Sequence, residues 1–138
     1  MKKAVVIFQS KTGITEKFGK EISNYINNKG IVSNAIPVSE YKTGMADEAD
    51  YVLLGCWTAG FMLLFQHPDQ LWKQFAKQLP QLNGKKIALF TTYKIATGSM
   101  FKSMRKYLGN NAVMIELKSR KGDLTPECAN TLDQFLLN

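Results

Sequence analysis

Apolar residues follow two rhythms along this chain. Unbroken runs at 5–8 (Val-Val-Ile-Phe), 51–55 (Tyr-Val-Leu-Leu-Gly) and 87–90 (Ile-Ala-Leu-Phe) lack polar alternation, as strands covered on both faces do. Two more mixed runs, 32–37 and 112–117, bring the expected strands to five. Between them the period becomes helical. Ile14, Phe18, Ile22 and Ile26 recur every fourth residue with Lys17, Lys20 and Glu21 outside, and Asn27-Asn28-Lys29-Gly30 stops the pattern. Residues 38–50 are polar and acidic, with a helical turn expected around 46–49. His67-Pro68-Asp69 predicts the start of a helix with Leu71, Trp72, Phe75 and Leu79 inward and Pro80 at its end. Residues 99–108 predict a helix with a basic outer face. Residues 125–137 predict a closing helix, with Thr125 as N-cap and Pro126 in its first position.

This alternation predicts one α/β domain over residues 1–138, a doubly wound parallel sheet with helices on both faces. Ligands of such sheets lie beyond the carboxyl ends of the strands, where strand order reverses. Three loops leave carboxyl ends: 9–15, 56–66 and 91–98. The first holds Ser10-Lys11-Thr12-Gly13-Ile14-Thr15, three hydroxyls and a glycine at the start of a helix whose first N–H groups lack partners. That is a cradle for a phosphate. The second is unusually apolar for a loop, with Trp57, Phe61, Met62, Leu63, Leu64 and Phe65, and such a run needs cover. Leu63, Leu64 and Phe65 are expected beneath a neighbouring helix. The third is rich in threonine and includes Tyr93. Together the last two suit a flat ring with polar edges.

Composition narrows the classes. A chain of 138 residues can bury a core without disulfides, and Cys56 and Cys128 form neither a CxxC nor a metal-ligand spacing. A reduced, cytoplasmic setting is expected, with no leader before the strand that follows Met1-Lys2-Lys3. The formal charge of +7 is uneven: residues 71–121 hold nine lysines, Arg105 and Arg120 against the single acid Glu116. Such a half can face nucleic acid, an anionic membrane or an acidic protein, or be no more than a solvated surface. Neither GxxxxGK[ST] nor GxGxxG occurs. A phosphatase loop would need Cys-x5-Arg, and a response regulator would need acids where Gln9 and Cys56 stand. His67, the sole histidine, has no evident nucleophile or carboxylate partner, so neither catalytic nor metal-binding residues are assigned.

On these motifs the chain resembles the short-chain flavodoxins. Ser-x-Thr-Gly-x-Thr, here Ser10, Thr12, Gly13 and Thr15, matches the family's FMN phosphate loop. Gly55-Cys56-x-Thr58-x-Gly60 resembles its first isoalloxazine loop, and element order agrees over essentially the whole chain. The resemblance implies a flavodoxin-like fold with strand order 2-1-3-4-5 and FMN between strands one and three, a fold that is itself a worked case of the switch-point rule. It also implies an electron carrier that serves redox partner proteins. Lys11, Thr12, Gly13, Ile14 and Thr15 would offer N–H groups to the phosphate, and Ser10, Thr12 and Thr15 their hydroxyls. Cys56, Trp57, Thr58, Ala59, Gly60 and Phe61 would form the first ring loop, and Thr92, Tyr93, Lys94 and Gly98 the second. Gly60 would turn its peptide towards flavin N5–H when the flavin takes one electron.

The chain also departs from the family. Ala59 stands where many members carry a stacking tryptophan, leaving Trp57 or Phe61 for that face and Tyr93 for the other. Lys94 adds a cation where flavodoxins are usually acidic. This implies an easier second electron uptake and an acidic docking partner. Two other classes stay open: a flavin-dependent quinone or porphyrinogen oxidoreductase on the same fold, and a flavin-free interaction domain. Nucleic acid is not an expected partner; weak association with an anionic membrane surface is left open.

Overall fold

The computed structural model describes residues 2–61 and 64–137, with the backbone alone at 60, 61, 64 and 65. Five parallel strands form the central sheet in the order β2-β1-β3-β6-β7: β1 (Lys3–Gln9), β2 (Val32–Pro37), β3 (Tyr51–Trp57), β6 (Lys86–Thr92) and β7 (Val113–Ser119). A short antiparallel pair, β4 (Ala59–Phe61) and β5 (Leu64–His67), follows β3. The five-stranded sheet thus has the expected order, with this hairpin added. Strand order reverses between β1 and β3, where Gln9 is registered against Cys56.

Because successive strand residues face opposite ways, each apolar run feeds two cores. Val6, Phe8, Leu53 and Phe90 pack with Phe18, Ile22 and Ile26 of α1 (Ile14–Asn28) and with Leu132 and Phe135 of α4 (Pro126–Leu137). On the other face, Ile7, Val52, Leu54 and Leu89 meet Trp72 and Phe75 of α2 (Gln70–Lys77) and Met100 and Met104 of α3 (Met100–Lys106). Helix α1 ends as its asparagine–glycine signal predicts: Gly30 N–H donates to the Asn27 carbonyl and Ile31 N–H to that of Ile26. At α4, Thr125 Oγ1 accepts from Cys128 N–H at 3.2 Å, the expected cap. Residues 38–50 hold two short 3-10 turns, Val38–Glu40 and Met45–Glu48.

Three expectations need correction. Residues 56 and 57 belong to β3, and the segment after them is a hairpin rather than an irregular loop. Backbone pairing therefore satisfies polar groups that a loop of this composition would leave open. His67 closes β5 instead of opening α2; Asp69 is the N-cap, its Oδ1 accepting from Leu71 N–H at 2.7 Å. That cap sets the phase of α2 so that Trp72, Phe75 and Ala76 are buried while Leu71 is 55% exposed. The placement of Leu63, Leu64 and Phe65 beneath a helix lies outside the described residues.

At Gly55 the ring of Phe90, its registered neighbour on β6, fills the space a side chain would take. A Cβ there would come within 2.0–2.4 Å of the Phe90 ring, which is fully buried and cannot move aside. Gly55→Ala is expected to cost about 1–3 kcal/mol, as overpacking of a filled core does. Urea denaturation checks it: the midpoint falls in Gly55→Ala, and recovers when Phe90→Leu is added.

Candidate functional site

The turn between β1 and α1 is built to keep its amides free. Gly13 is the residue before the helix, at φ +93°, a left-handed conformation that favours glycine, and a Cβ there would meet nothing within 4 Å. The Ser10 hydroxyl oxygen accepts from Gly13 N–H at 3.1 Å and Glu16 N–H at 3.2 Å. Those two bonds saturate the oxygen and leave the hydroxyl proton to be donated outward. Among the described residues, the N–H groups of Lys11, Thr12, Ile14 and Thr15 have no acceptor within the protein. A helix N-terminus with several unpaired donors on an open side fits a phosphate.

Thr15 has a different task from the one expected of its hydroxyl. Its side chain is 1% exposed and its Oγ1 lies 2.5 Å from Thr92 Oγ1, so it faces inward and bonds the turn to the end of β6. Its backbone N–H stays with the phosphate set.

Beside the turn lies a cavity of about 360 Å³ at the carboxyl ends of β1, β3 and β6, within the range of about 300–1,000 Å³ usual for small-molecule sites. Lys11, Thr12 and Ile14 line it from the turn, Trp57, Thr58 and Ala59 from the end of β3, and Thr92, Tyr93 and Lys94 from the end of β6. Trp57 is registered against Thr92, so the two aromatic residues, Trp57 and Tyr93, leave neighbouring strands one step apart. A threonine lattice fixes this end of the sheet. Thr58 N–H donates to the Thr92 carbonyl at 2.9 Å, and Thr91 Oγ1 donates to the Cys56 carbonyl at 2.6 Å while meeting Thr58 Oγ1 at 2.9 Å.

Two expected site residues stand elsewhere. The Cys56 side chain is fully buried in the core beneath α2, away from the cavity lining, and burial drives its thiol far above the usual range. It is neither a wall of the cavity nor a reactive thiol. Gly98 lies behind the wall: its Cβ would come within 2.3 Å of Gln66 Oε1, so its small size admits the Gln66 side chain, which does line the cavity. Ser99 Oγ donates to the Gln66 carbonyl at 3.1 Å and ties β5 to the start of α3. The roles expected of the Gly60 peptide and the Phe61 ring rest on residues whose side chains lie outside the description.

Sequence reasoning missed Gln66, Ile95, Ala96 and Arg120, all of which line the cavity. Arg120 follows β7, so it occupies a fourth loop at the carboxyl end of the sheet, and that position alone would have found it. The loop is drawn to the site by close packing: a Cβ on Gly122 would fall 2.7 Å from the Ile14 carbonyl oxygen. Lys17 also holds the Asp123 carboxylate and keeps it below its ordinary range. Arg120 Nε then donates to the Lys94 carbonyl at 2.9 Å. Lys11, Lys94 and Arg120 are the charged groups of the lining, and no carboxylate joins them among the described residues.

Fold and site define a doubly wound α/β protein with a cavity at its switch point, beside a helix start whose amides are free among the described residues. A family model described as a flavodoxin domain matches residues 5–121, and the chain belongs to the flavodoxin family. It is 27% identical over 113 residues to the flavodoxin of Clostridium beijerinckii, covering 80% of each chain. The flavodoxin of Megasphaera elsdenii is 26% identical over 127 residues, covering 89% of this chain and 90% of that one. The solution structure of its two-electron reduced form is similar at a TM-score of 0.77 and 23% identity, over 91% of this chain and 93% of that chain. A Fusobacterium nucleatum flavodoxin variant solved with flavin mononucleotide has a TM-score of 0.62 at 13% identity, over 83% of this chain and 68% of that one.

Burial of both free cysteines predicts slow native-state thiol chemistry. Titration with a disulfide reagent at pH 8 should label fewer than one thiol per chain in the native protein and two in denaturant. Fast native labelling of Cys56 would contradict its placement.

Proposed function

We propose that this protein binds FMN at the turn after β1 and in the adjoining cavity, and carries electrons between redox proteins. One observation carries the reading: four unpaired amides at a helix N-terminus open beside a cavity with two aromatic side chains in its wall. FMN supplies the electron-transfer chemistry when bound; the protein supplies orientation and charge. Ser10 and the N–H groups of residues 11, 12, 14 and 15 hold the phosphate. Trp57, Ala59 and Tyr93 offer contact to the ring, with Thr58 and Gln66 beside them for its polar edge and Thr92 lining the wall behind. The Gly60 peptide, as the family pattern has it, answers the protonation state of flavin N5.

Electrostatics support an acidic partner. Lys11, Lys94 and Arg120 ring the mouth, with Ile95, 54% exposed, among the lining residues. An apolar contact bordered by cations suits a partner whose own surface is anionic. An anionic membrane surface shares that chemistry. No helix among the described residues is long and apolar enough to cross a membrane. Two buried cysteines without a disulfide agree with a reducing, cytoplasmic setting.

Stepwise reduction of the FMN-loaded protein under a visible spectrum tests the reading. Flavin bands near one per chain and no turnover with quinone or porphyrinogen substrates are expected. Substrate turnover would move the assignment to a flavin enzyme, and absence of flavin binding would leave a flavin-free interaction domain.

The cations also predict the direction of a redox shift. Lys94→Glu should make uptake of the second electron harder by roughly 1 kcal/mol, the scale of a charge pair a few ångström apart in water. A midpoint unmoved by the substitution, or moved upward, would contradict the role given to Lys94. High salt should shrink the difference.

A further inference from the structure

We propose that Asp69 is a positioning residue for the ring site: it fixes the orientation of Trp57, and Trp57 so held is a preformed wall for the flavin. This rests on the FMN reading above and adds a residue outside the phosphate turn and both ring loops. Asp69 divides its carboxylate between two tasks. Oδ1 caps α2 through Leu71 N–H, and Oδ2 accepts from Trp57 Nε1 at 2.8 Å and from Gln9 Nε2 at 3.3 Å. Its own N–H points to Cys56 Sγ at 3.4 Å. One short segment thereby grips the last residue of β1 and the last two of β3. Those are the ends of the two strands between which strand order reverses.

An indole has one polar atom, and here it is bound to a carboxylate directed into the protein rather than to anything in the cavity. A half-buried tryptophan without that bond would sample several rotamers, and a ligand would bear the cost of ordering it. With the N–H tethered, the ring is ordered before a ligand arrives. Lys11 Nζ lies 4.8 Å from the centre of the Trp57 ring, and both residues line the cavity. The indole face on the side of the phosphate turn therefore carries the Lys11 ammonium, the end of a long side chain that a ligand ring can displace. A hydrogen bond to a charged acceptor is among the stronger ones available to a side chain, so its loss is large enough to read.

The competing account is that Asp69 only caps α2. Asp69→Ser separates the two, because serine caps helices well but is too short to span both Leu71 N–H and the indole. Two measurements are made. First, the ligand-free protein is examined by ¹⁵N NMR of its two indole N–H groups. The Trp57 signal should shift and its hydrogen exchange should quicken in Asp69→Ser, while Trp72, buried in the core, serves as the internal control. Second, FMN dissociation constants are measured for Asp69→Ser, for Trp57→Phe and for the double variant. Each single variant should weaken FMN about tenfold, the loss of one charge-assisted hydrogen bond. In the Trp57→Phe background, Asp69→Ser should then add little.

An unchanged indole signal in Asp69→Ser overturns the proposal, as does an unchanged FMN affinity. An equal further loss in the Trp57→Phe background also overturns it, because Asp69 would then act through the fold at large. If the unaltered protein fails to bind FMN, the functional reading itself falls and the proposal with it, a result distinct from tight FMN binding that ignores Asp69.

Discussion

The site depends on one buried contact, the hydroxyl pair of Thr15 and Thr92. Thr15 is the second residue of α1, whose first amides are those proposed to hold the phosphate. Thr92 ends the strand that carries Tyr93 into the cavity. Strand β3 lies between β1 and β6, so the pair reaches across a whole strand and fixes the separation of cradle and ring wall. Both side chains are almost wholly buried, and each hydroxyl needs the other because the surrounding core offers little else. A ligand with a phosphate at one end and a ring at the other thus meets a site of preset length.

Charge is distributed with the same economy. On the side of α1 and α4, three cations are paired: Lys17 with Asp123, Lys20 with Glu16 and Lys29 with Asp133. On the other side Arg105 pairs with Glu116, while Lys73 and Lys77 lie over the Tyr107 ring with no ion-pair partner among the described residues. Lys2 and Lys86 lie over the Tyr51 ring on the α4 side, so cations outside ion pairs stand on both faces as well as in the cavity lining. Exposed charges of this kind add little to stability. Their consequence is a field that favours anions in the site and anionic surfaces outside it.

The fold was legible because a parallel sheet covered on both faces writes itself as unbroken apolar runs, and its helices write a fourfold period. Where those signals overlapped, the reading lost phase. In α2, Leu71 and Trp72 fit an inner stripe equally well on spacing, and only the cap at Asp69 decides between them. The hairpin after β3 was hidden because an apolar segment of its length reads as strand or covered loop alike. The turn after β1 was legible as a helix start with free amides, but hydroxyl count could not tell which hydroxyl faces inward; Thr15 does. Arg120, drawn in through the Gly122 loop, is marked only by its place after β7, and residues brought to the cavity by packing, such as Gln66 through Gly98, leave no local mark. Asp69 belongs with them: a capping residue by sequence, a junction of three elements in space.

The central claim is that the turn after β1 recognises a phosphate attached to the ring that the cavity takes. Calorimetric titration of the flavin-free protein with FMN and with riboflavin tests it most directly, since the two differ only in that group. Several amide donors converging on a dianion predict FMN binding tighter by about a hundredfold or more. Equal affinity for the two would contradict the account.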